Sequence, residues 1–77
     1  MKEDGLVKLG QCIKAKRVEK GLTQFQLATL AGVDRNYIGM LERGERNPSY
    51  LSLLKIANGL KLSVAELTEM AKEIIKK

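Results

Sequence analysis

The sequence predicts an all-α fold, a bundle of five helices joined by short turns. Hydrophobic residues make up 44% of the 77 residues, whereas aromatic residues make up only 4% and tryptophan is absent. Leu, Ile, Val and Ala must therefore supply most of the buried surface, which suits helices packed on helices. These residues recur at helical spacing between capping residues and glycines, so we expect residues 1–77 to form one domain.

The first predicted helix runs from about Leu6 to Lys20. Leu6, Leu9 and Ile13 recur at helical spacing, and Gly21 follows a basic run as a C-terminal cap.

The second predicted helix spans residues 24–31. Thr23 and Gln26 form a capping-box pattern at its start, and Gly32 ends it. The residues expected on its apolar face are Leu27, Leu30 and Ala31.

A third helix is predicted over residues 35–43. Asp34 is a favourable N-cap, and Gly44 stops the helix. Ile38 and Leu41 lie three residues apart and are expected to face inward.

Two further helices follow the only proline-containing loop, residues 45–48. Ser49 is expected to cap the fourth helix, whose apolar positions are Leu53, Leu54, Ile56, Ala57 and Leu60. Ser63 and Glu66 form a second capping box, which opens a fifth helix ending at Lys76 and Lys77. Its apolar positions are Val64, Leu67, Met70, Ala71 and Ile74.

The charge balance favours a polyanionic partner. The chain has 14 basic and 9 acidic residues, a formal net charge of +5 and an isoelectric point near 9.6. An ordinary solubility surface would also carry net charge, so this balance supports nucleic-acid binding without deciding it.

The composition leaves few means for catalysis or metal binding. Histidine is absent and Cys12 is the only cysteine, so we expect no zinc or iron–sulfur site, no cofactor and no disulfide within the chain. Cys12 lies in a helical pattern, where a cysteine is more commonly a small buried hydrophobic residue than a nucleophile. The acids form no cluster suited to a metal-dependent nuclease, so we expect the protein not to be an enzyme.

No uncharged stretch approaches the roughly 20 residues that a membrane span needs. The first ten residues, MKEDGLVKLG, lack the apolar core of a signal peptide. We therefore expect a cytoplasmic protein with no membrane partner.

The second and third predicted helices form a helix-turn-helix arrangement over about residues 23–43. Only Gly32, Val33 and Asp34 separate them, a turn too tight for parallel packing. Ala28 is small enough to keep the two helices close, and Ile38 would hold the second helix inward. At these spacings, in a basic helical chain, the pattern indicates DNA binding.

The segment TQFQLATLAGVDRNYIGMLERGERNPSYLSLLKIANGL resembles the phage-repressor and Cro (Xre-type) helix-turn-helix family. Within that family, LERGERNPS and the pair Asp34–Arg35 resemble the controller proteins of restriction-modification systems. The resemblance implies a five-helix lambda-repressor-like domain that binds a palindromic operator on double-stranded DNA as a homodimer. Such regulators act as repressors, activators or both, and RNA polymerase is a further candidate partner.

The resemblance also assigns base readers to the third helix. The N-terminal residues of the second helix of such a motif contact base edges, which here points to Arg35 and Asn36. Arginine can bond guanine in bidentate fashion and asparagine can do the same with adenine. Met40, one turn further, is either a contact to a thymine methyl or simply exposed, and Gly39 beside it leaves room for close approach.

Six further residues are expected, by the resemblance, to contact phosphates or the minor groove. They are Gln24, Tyr37, Arg43, Arg46, Asn47 and Ser52. Arg46 is the candidate for the minor groove near the operator centre. For Arg43, an ordinary solvated charge at the end of a helix is as good an interpretation as a phosphate contact.

Arg17 and Glu42 match a pair that forms a partly buried salt bridge in the family, so both are expected to be structural. Lys16 stands where the family usually has an apolar residue, although a lysine stem can lie along apolar surface.

A dimer interface is expected beyond the motif. The apolar candidates for partial exposure there are Tyr50, Leu51, Leu62, Val64, Leu67 and Met70. The alternative is that these residues complete the core of the monomer. A second interpretation of the whole chain is an antitoxin-type module that neutralises a partner protein and regulates its own operon.

Overall fold

A computed structural model describes residues 4–75, with side chains up to Met70, and it shows the predicted all-α fold. The helices are α1 (Asp4–Glu19), α2 (Gln24–Ala31), α3 (Arg35–Glu42), α4 (Tyr50–Gly59) and α5 (Val64–Ile75). The first helix begins two residues before the predicted start and ends one residue earlier than predicted. The third ends at Glu42, because Arg43 serves as its C-cap. The predicted end of the fifth helix at Lys76 and Lys77 lies outside the described residues.

Side-chain caps start four of the helices, as the sequence predicts. The Thr23 hydroxyl accepts from the Gln26 backbone N–H, and the Gln26 side chain accepts from the Thr23 N–H. Ser63 and Glu66 exchange the same two bonds at the start of α5. The other two caps are Asp34 on α3 and Ser49 on α4. Each cap satisfies N–H groups that the first helical turn cannot pair, which fixes where the helix begins.

The turn between α2 and α3 depends on Gly32. Its φ of 73° lies in the left-handed region, where residues with a Cβ are strained. Its N–H and that of Val33 bond the carbonyls of Thr29 and Ala28, which closes the end of α2. The chain can therefore reverse within three residues and start α3 at Asp34.

The core forms where α1 packs on α3 and α5 and where α2 packs on α4. Its fully buried members come from all five helices: Cys12, Ile13, Leu27, Ala28, Ala31, Ile38, Leu41, Ile56, Ala57, Leu60 and Leu67. Leu9, Leu22, Leu53 and Met70 are among the partly buried residues that surround them. The inward orientation predicted for Ile38 and Leu41 is confirmed.

The apolar face predicted for α2 is wrong at Leu30. Leu27 and Ala31 are buried, but Leu30 is 59% exposed because α4 covers only the Leu27–Ala31 side of the helix. With Leu22 and Phe25, Leu30 lines an open groove of about 330 Å³ on the outer surface of α2.

Helix α1 crosses the end of α3 at very close range. Gly10 is buried against the Leu41 and Glu42 carbonyls, and a Cβ at position 10 would overlap the Leu41 carbonyl oxygen. Glycine is therefore required for this crossing, through which α1 packs on α3. None of the helices within residues 4–75 is both long and apolar enough to span a membrane.

Candidate nucleic-acid interface

The N-terminus of α3 presents two polar side chains to solvent. Asp34 accepts a 2.7 Å hydrogen bond from the Asn36 backbone N–H, so the cap uses the aspartate and leaves the Asn36 side chain outside it. Arg35 and Asn36 are both exposed, whereas Ile38, in the next turn of the helix, is fully buried on the side that faces the core. The buried side thus fixes the rotation of α3 and turns the two candidate base readers outward.

Tyr37 and Met40 are both half-buried rather than free at the surface. Tyr37 packs against the core, which restricts the positions that its ring can take. Both residues belong to α3, like Arg35 and Asn36, and part of each side chain remains accessible there. A contact of Met40 with a thymine methyl therefore stays a prediction.

A polar network joins α1, α2 and the end of α3. The Arg17 guanidinium bonds both carboxylate oxygens of Glu42, at 2.7 and 3.1 Å, and also donates to the Leu22 carbonyl. The Gln24 amide nitrogen donates to Glu42 Oε1 at 3.0 Å. Glu42 therefore accepts from two helices at once, which orients α2 relative to α3. The structural role expected for Arg17 and Glu42 agrees with this geometry.

The side chain of Gln24 is consequently held rather than mobile. The resemblance predicts that Gln24 binds phosphate, and its bond to Glu42 has no signal in the sequence. Because an amide nitrogen has two hydrogens, the bond to Glu42 leaves one donor for another partner. The network therefore fixes the position of Gln24 without consuming its donor capacity.

Arg43 forms an exposed ion pair at the end of α3. Its Nε lies 3.0 Å from Glu45 Oε2, and this hydrogen bond raises the pKa of the already cationic guanidinium. More than half of the Arg43 side chain remains accessible. A second guanidinium nitrogen, Nη1, lies beside the middle of α3 at Gly39. Gly39 is therefore buried beneath neighbouring side chains, and the close approach expected there stays a prediction.

The remaining phosphate candidates follow α3 in the chain. Arg46 and Asn47 are exposed in the loop before α4. Ser52 lies in the first turn of α4, where its N–H and its hydroxyl both bond Ser49, the N-cap. The Ser52 hydroxyl is thereby oriented at the helix start, a position that favours anions.

The residues predicted for the dimer interface divide into three groups. Tyr50 and Leu51 are 68% and 59% exposed on α4. Leu62, Val64 and Met70 are half-buried against the core. Leu67 is 0% exposed, so its predicted partial exposure is wrong: it completes the core of the subunit itself.

The site offers cations and hydrogen-bond donors and no metal centre. Within the described part of the chain, no three Cys, Asp or Glu residues lie close enough to hold a metal ion. The Cys12 thiol is buried, and its burial raises the thiol pKa, which disfavours the reactive thiolate. The arrangement is suited to binding an anionic surface.

Several known proteins are similar to the chain over most of its length. Control protein C.SmaI of Serratia marcescens is 39% identical over 59 residues, which cover 77% of this chain and 70% of that protein. The crystal structure of the restriction-modification controller protein C.AhdI from Aeromonas hydrophila is 48% identical, with a TM-score of 0.79. That match covers 80% of this chain and 94% of the other.

A second crystal structure, that of the wild-type restriction-modification controller protein C.Esp1396I, is 44% identical with a TM-score of 0.83 and covers 94% of this chain and 96% of the other. The chain spans less of two other relatives: 66% of a regulator from Sinorhizobium fredii and 41% of the immunity repressor protein of Bacillus phage phi105. A helix-turn-helix family model matches residues 13–67. The chain therefore belongs to the helix-turn-helix family, and its relatives include phage repressors and restriction-modification control proteins.

Proposed function

We propose that the protein is a sequence-specific transcriptional regulator that binds a palindromic operator as a homodimer, as the controller of a restriction-modification system. The observation that carries this proposal is the pair of exposed side chains, Arg35 and Asn36, at the capped start of α3. The identity of 48% to the controller C.AhdI supports the narrower assignment to a restriction-modification system.

The first turn of α3 has the chemistry needed to distinguish base pairs. Arginine can donate two hydrogen bonds to the O6 and N7 atoms of guanine, and asparagine can bond the N6 and N7 atoms of adenine. Arg35 and Asn36 are exposed on a helix that the core holds rigidly through Ile38. A rigid helix positions such donors more accurately than a loop does.

Phosphate contacts on both sides of α3 would fix the register of the protein on DNA. Gln24 and Arg43 lie near the middle of α3, whereas Arg46, Asn47 and Ser52 lie in and after the following loop. All five side chains can donate hydrogen bonds to phosphate oxygens. Arg46 is the candidate for the minor groove, where a narrow groove attracts arginine.

A homodimer would use the exposed apolar surface of α4 together with the partly buried residues near α5. Tyr50 and Leu51 supply large exposed side chains, and Leu62, Val64 and Met70 adjoin the core. Two-fold symmetry would place the two α3 helices about 34 Å apart, one turn of DNA. The symmetry of a palindromic operator would then match that of the protein.

The experiment that tests the proposal is selection of bound duplexes from a random DNA pool, followed by titration of the selected duplex at near-physiological salt. We expect a palindromic sequence bound at least ~1000-fold more tightly than its scrambled counterpart. Arg35→Ala should reduce this ratio. Lys14→Ala, which removes an exposed charge from α1, is the charge-matched control and should leave the ratio unchanged.

Equal, salt-sensitive binding to both duplexes would contradict sequence-specific recognition, because it would show that the net charge of +5 acts alone. Sedimentation as a monomer at every concentration would contradict the homodimer. A stoichiometric protein partner, copurifying with a chain that does not discriminate between duplexes, would favour the antitoxin interpretation instead.

A further inference from the structure

Gly39, in the middle of α3, has no side chain, and the polar side chains of two other residues lie over the space that this leaves. A Cβ at Gly39 would lie 3.2 Å from Arg43 Nη1 and 3.6 Å from Gln24 Oε1. The Gln24 amide nitrogen lies 3.9 Å from the same point. The side chains of the first residue of α2 and of the C-cap of α3 therefore both border the space above Gly39.

The backbone at this position does not require glycine. Gly39 lies inside α3, and its φ is not among the positive values of the chain. Glycine inside a helix is less stable than alanine because it loses more conformational freedom on folding. The distinctive property of Gly39 is consequently the space it leaves, which Arg43 and Gln24 occupy.

Both side chains are held in place from their far sides. The Gln24 amide donates to Glu42, which Arg17 also binds, and Arg43 Nε donates to Glu45. Each side chain keeps further N–H donors beyond these bonds. An amide and a guanidinium that border the same space can both donate to a single phosphate group.

We propose that Gly39 is a positioning residue for DNA binding: by leaving the middle of α3 bare, it lets Gln24 and Arg43 bind one backbone phosphate together. The inference rests on the proposed function, since it concerns how the regulator contacts DNA. Gly39 itself makes no base contact, because the two side chains cover it. Its replacement should weaken binding to all sequences alike.

The test compares Gly39→Leu with Gly5→Leu on the selected and scrambled duplexes. A leucine at position 39 would occupy the space of both polar side chains and cannot donate to phosphate. Gly5 is a matched control, because it lies in α1 and a Cβ there meets nothing within 4 Å. We expect Gly39→Leu to weaken binding to both duplexes by the same factor, while Gly5→Leu binds as the wild type.

Salt dependence and thermal melting identify the cause of the loss. Loss of one phosphate contact makes the slope of log K against log salt less steep by about 1. The ratio of the wild-type to the Gly39→Leu binding constant should therefore fall about threefold to fourfold between 50 and 200 mM salt. The melting temperature of Gly39→Leu should stay close to that of the wild type. A variant that melts far below it would overturn the proposal by showing that Gly39 serves packing.

A triple variant separates an indirect effect from a direct one. In a chain that carries Gln24→Ala and Arg43→Ala, Gly39→Leu has neither side chain left to displace, so it should cause no further loss of binding. A loss that persists would mean that the leucine meets DNA itself, and would overturn the proposal. Unchanged binding of the single Gly39→Leu variant would overturn it too, whereas a wild type without any preferred duplex would overturn the proposed function.

Discussion

The Arg17 guanidinium and the Glu42 carboxylate form a bidentate pair, with Nε 2.7 Å from Oε2 and Nη2 3.1 Å from Oε1. Their side chains are only 11% and 4% exposed, so little water is available to solvate either charge alone. Removal of one partner leaves the other buried and uncompensated. We expect Arg17→Ala and Glu42→Ala each to lower the free energy of unfolding by about 3–5 kcal/mol, measured by urea denaturation.

The exposed pair of Arg43 and Glu45 is the control for this prediction. Its charges are solvated, so Glu45→Ala should leave the denaturation midpoint nearly unchanged. The double variant Arg17→Ala/Glu42→Ala should lose less stability than the two single variants together, because no unpaired charge remains. Equal midpoints for Glu42→Ala and Glu45→Ala would contradict the structural role of the buried pair.

Gly10 should tolerate no side chain. A Cβ there would overlap the Leu41 carbonyl and lie 2.7 Å from the Glu42 carbonyl oxygen, and backbone atoms cannot rotate away as a side chain can. Gly10→Ala should therefore separate α1 from α3 and lower the free energy of unfolding by about 3 kcal/mol, the upper range for overpacking. Thermal melting followed by circular dichroism measures this change.

Gly5→Ala in the same helix provides the comparison. Position 5 is open, so this change should stabilise the protein by about 0.5–1 kcal/mol through the higher helix propensity of alanine. A Gly10→Ala variant that melts at or above the temperature of Gly5→Ala would show that α1 does not cross α3 at such close range.

The helix starts could be predicted because their causes are local. Thr23, Asp34, Ser49 and Ser63 each satisfy N–H groups within three residues, so the pattern is visible in the sequence. The start of α1 is less evident in the sequence, because the apolar periodicity begins at Leu6 whereas the helix begins at Asp4. Periodicity marks the buried face of a helix rather than its first turn.

Burial was harder to predict, because it depends on which helix covers which face. Leu30 and Leu67 are both leucines at helical spacing, yet the first is exposed on α2 and the second is fully buried on α5. The bond from Gln24 to Glu42 joins residues 18 positions apart, and no local pattern marks it. The closeness of Gly10 to α3 likewise became visible only in the packed structure.

Cys12 should make the stability of the protein sensitive to alkaline pH. Its side chain is 1% exposed, and burial raises the pKa of the thiol above its ordinary value of 9.0. The folded state thus holds the proton where the unfolded chain releases it. The contribution of the protonated Cys12 thiol to the free energy of unfolding is therefore fully present below pH 9.0 and is lost as the pH rises above it.

Cys12→Ala removes this titration, so urea denaturation should show the stability gap between wild type and variant narrowing from pH 7 to about pH 10. In the folded wild type the thiol should react with a thiol reagent far more slowly than in urea. A constant gap across this pH range, or rapid labelling of the folded protein, would contradict the burial of Cys12.

Arg35 and Arg46 should affect DNA binding in different ways. Both are exposed arginines, but Arg35 starts α3 and Arg46 lies in the loop before α4. If Arg35 bonds a guanine, Arg35→Ala should cost about 1–3 kcal/mol on the selected operator and relax preference at one base position in each half-site. If Arg46 contacts the backbone, Arg46→Ala should weaken binding evenly across sequences and reduce the salt slope by about 1.

The measurement is titration of each variant against the selected operator and against every single-base substitution of one half-site, at two salt concentrations. Because the two variants lose the same formal charge, they control for each other: a purely electrostatic role would give them identical profiles. An even loss across all duplexes for Arg35→Ala would remove its assignment as a base reader. A loss confined to the central base pairs for Arg46→Ala would instead favour recognition of the minor groove, since the width of that groove varies with sequence.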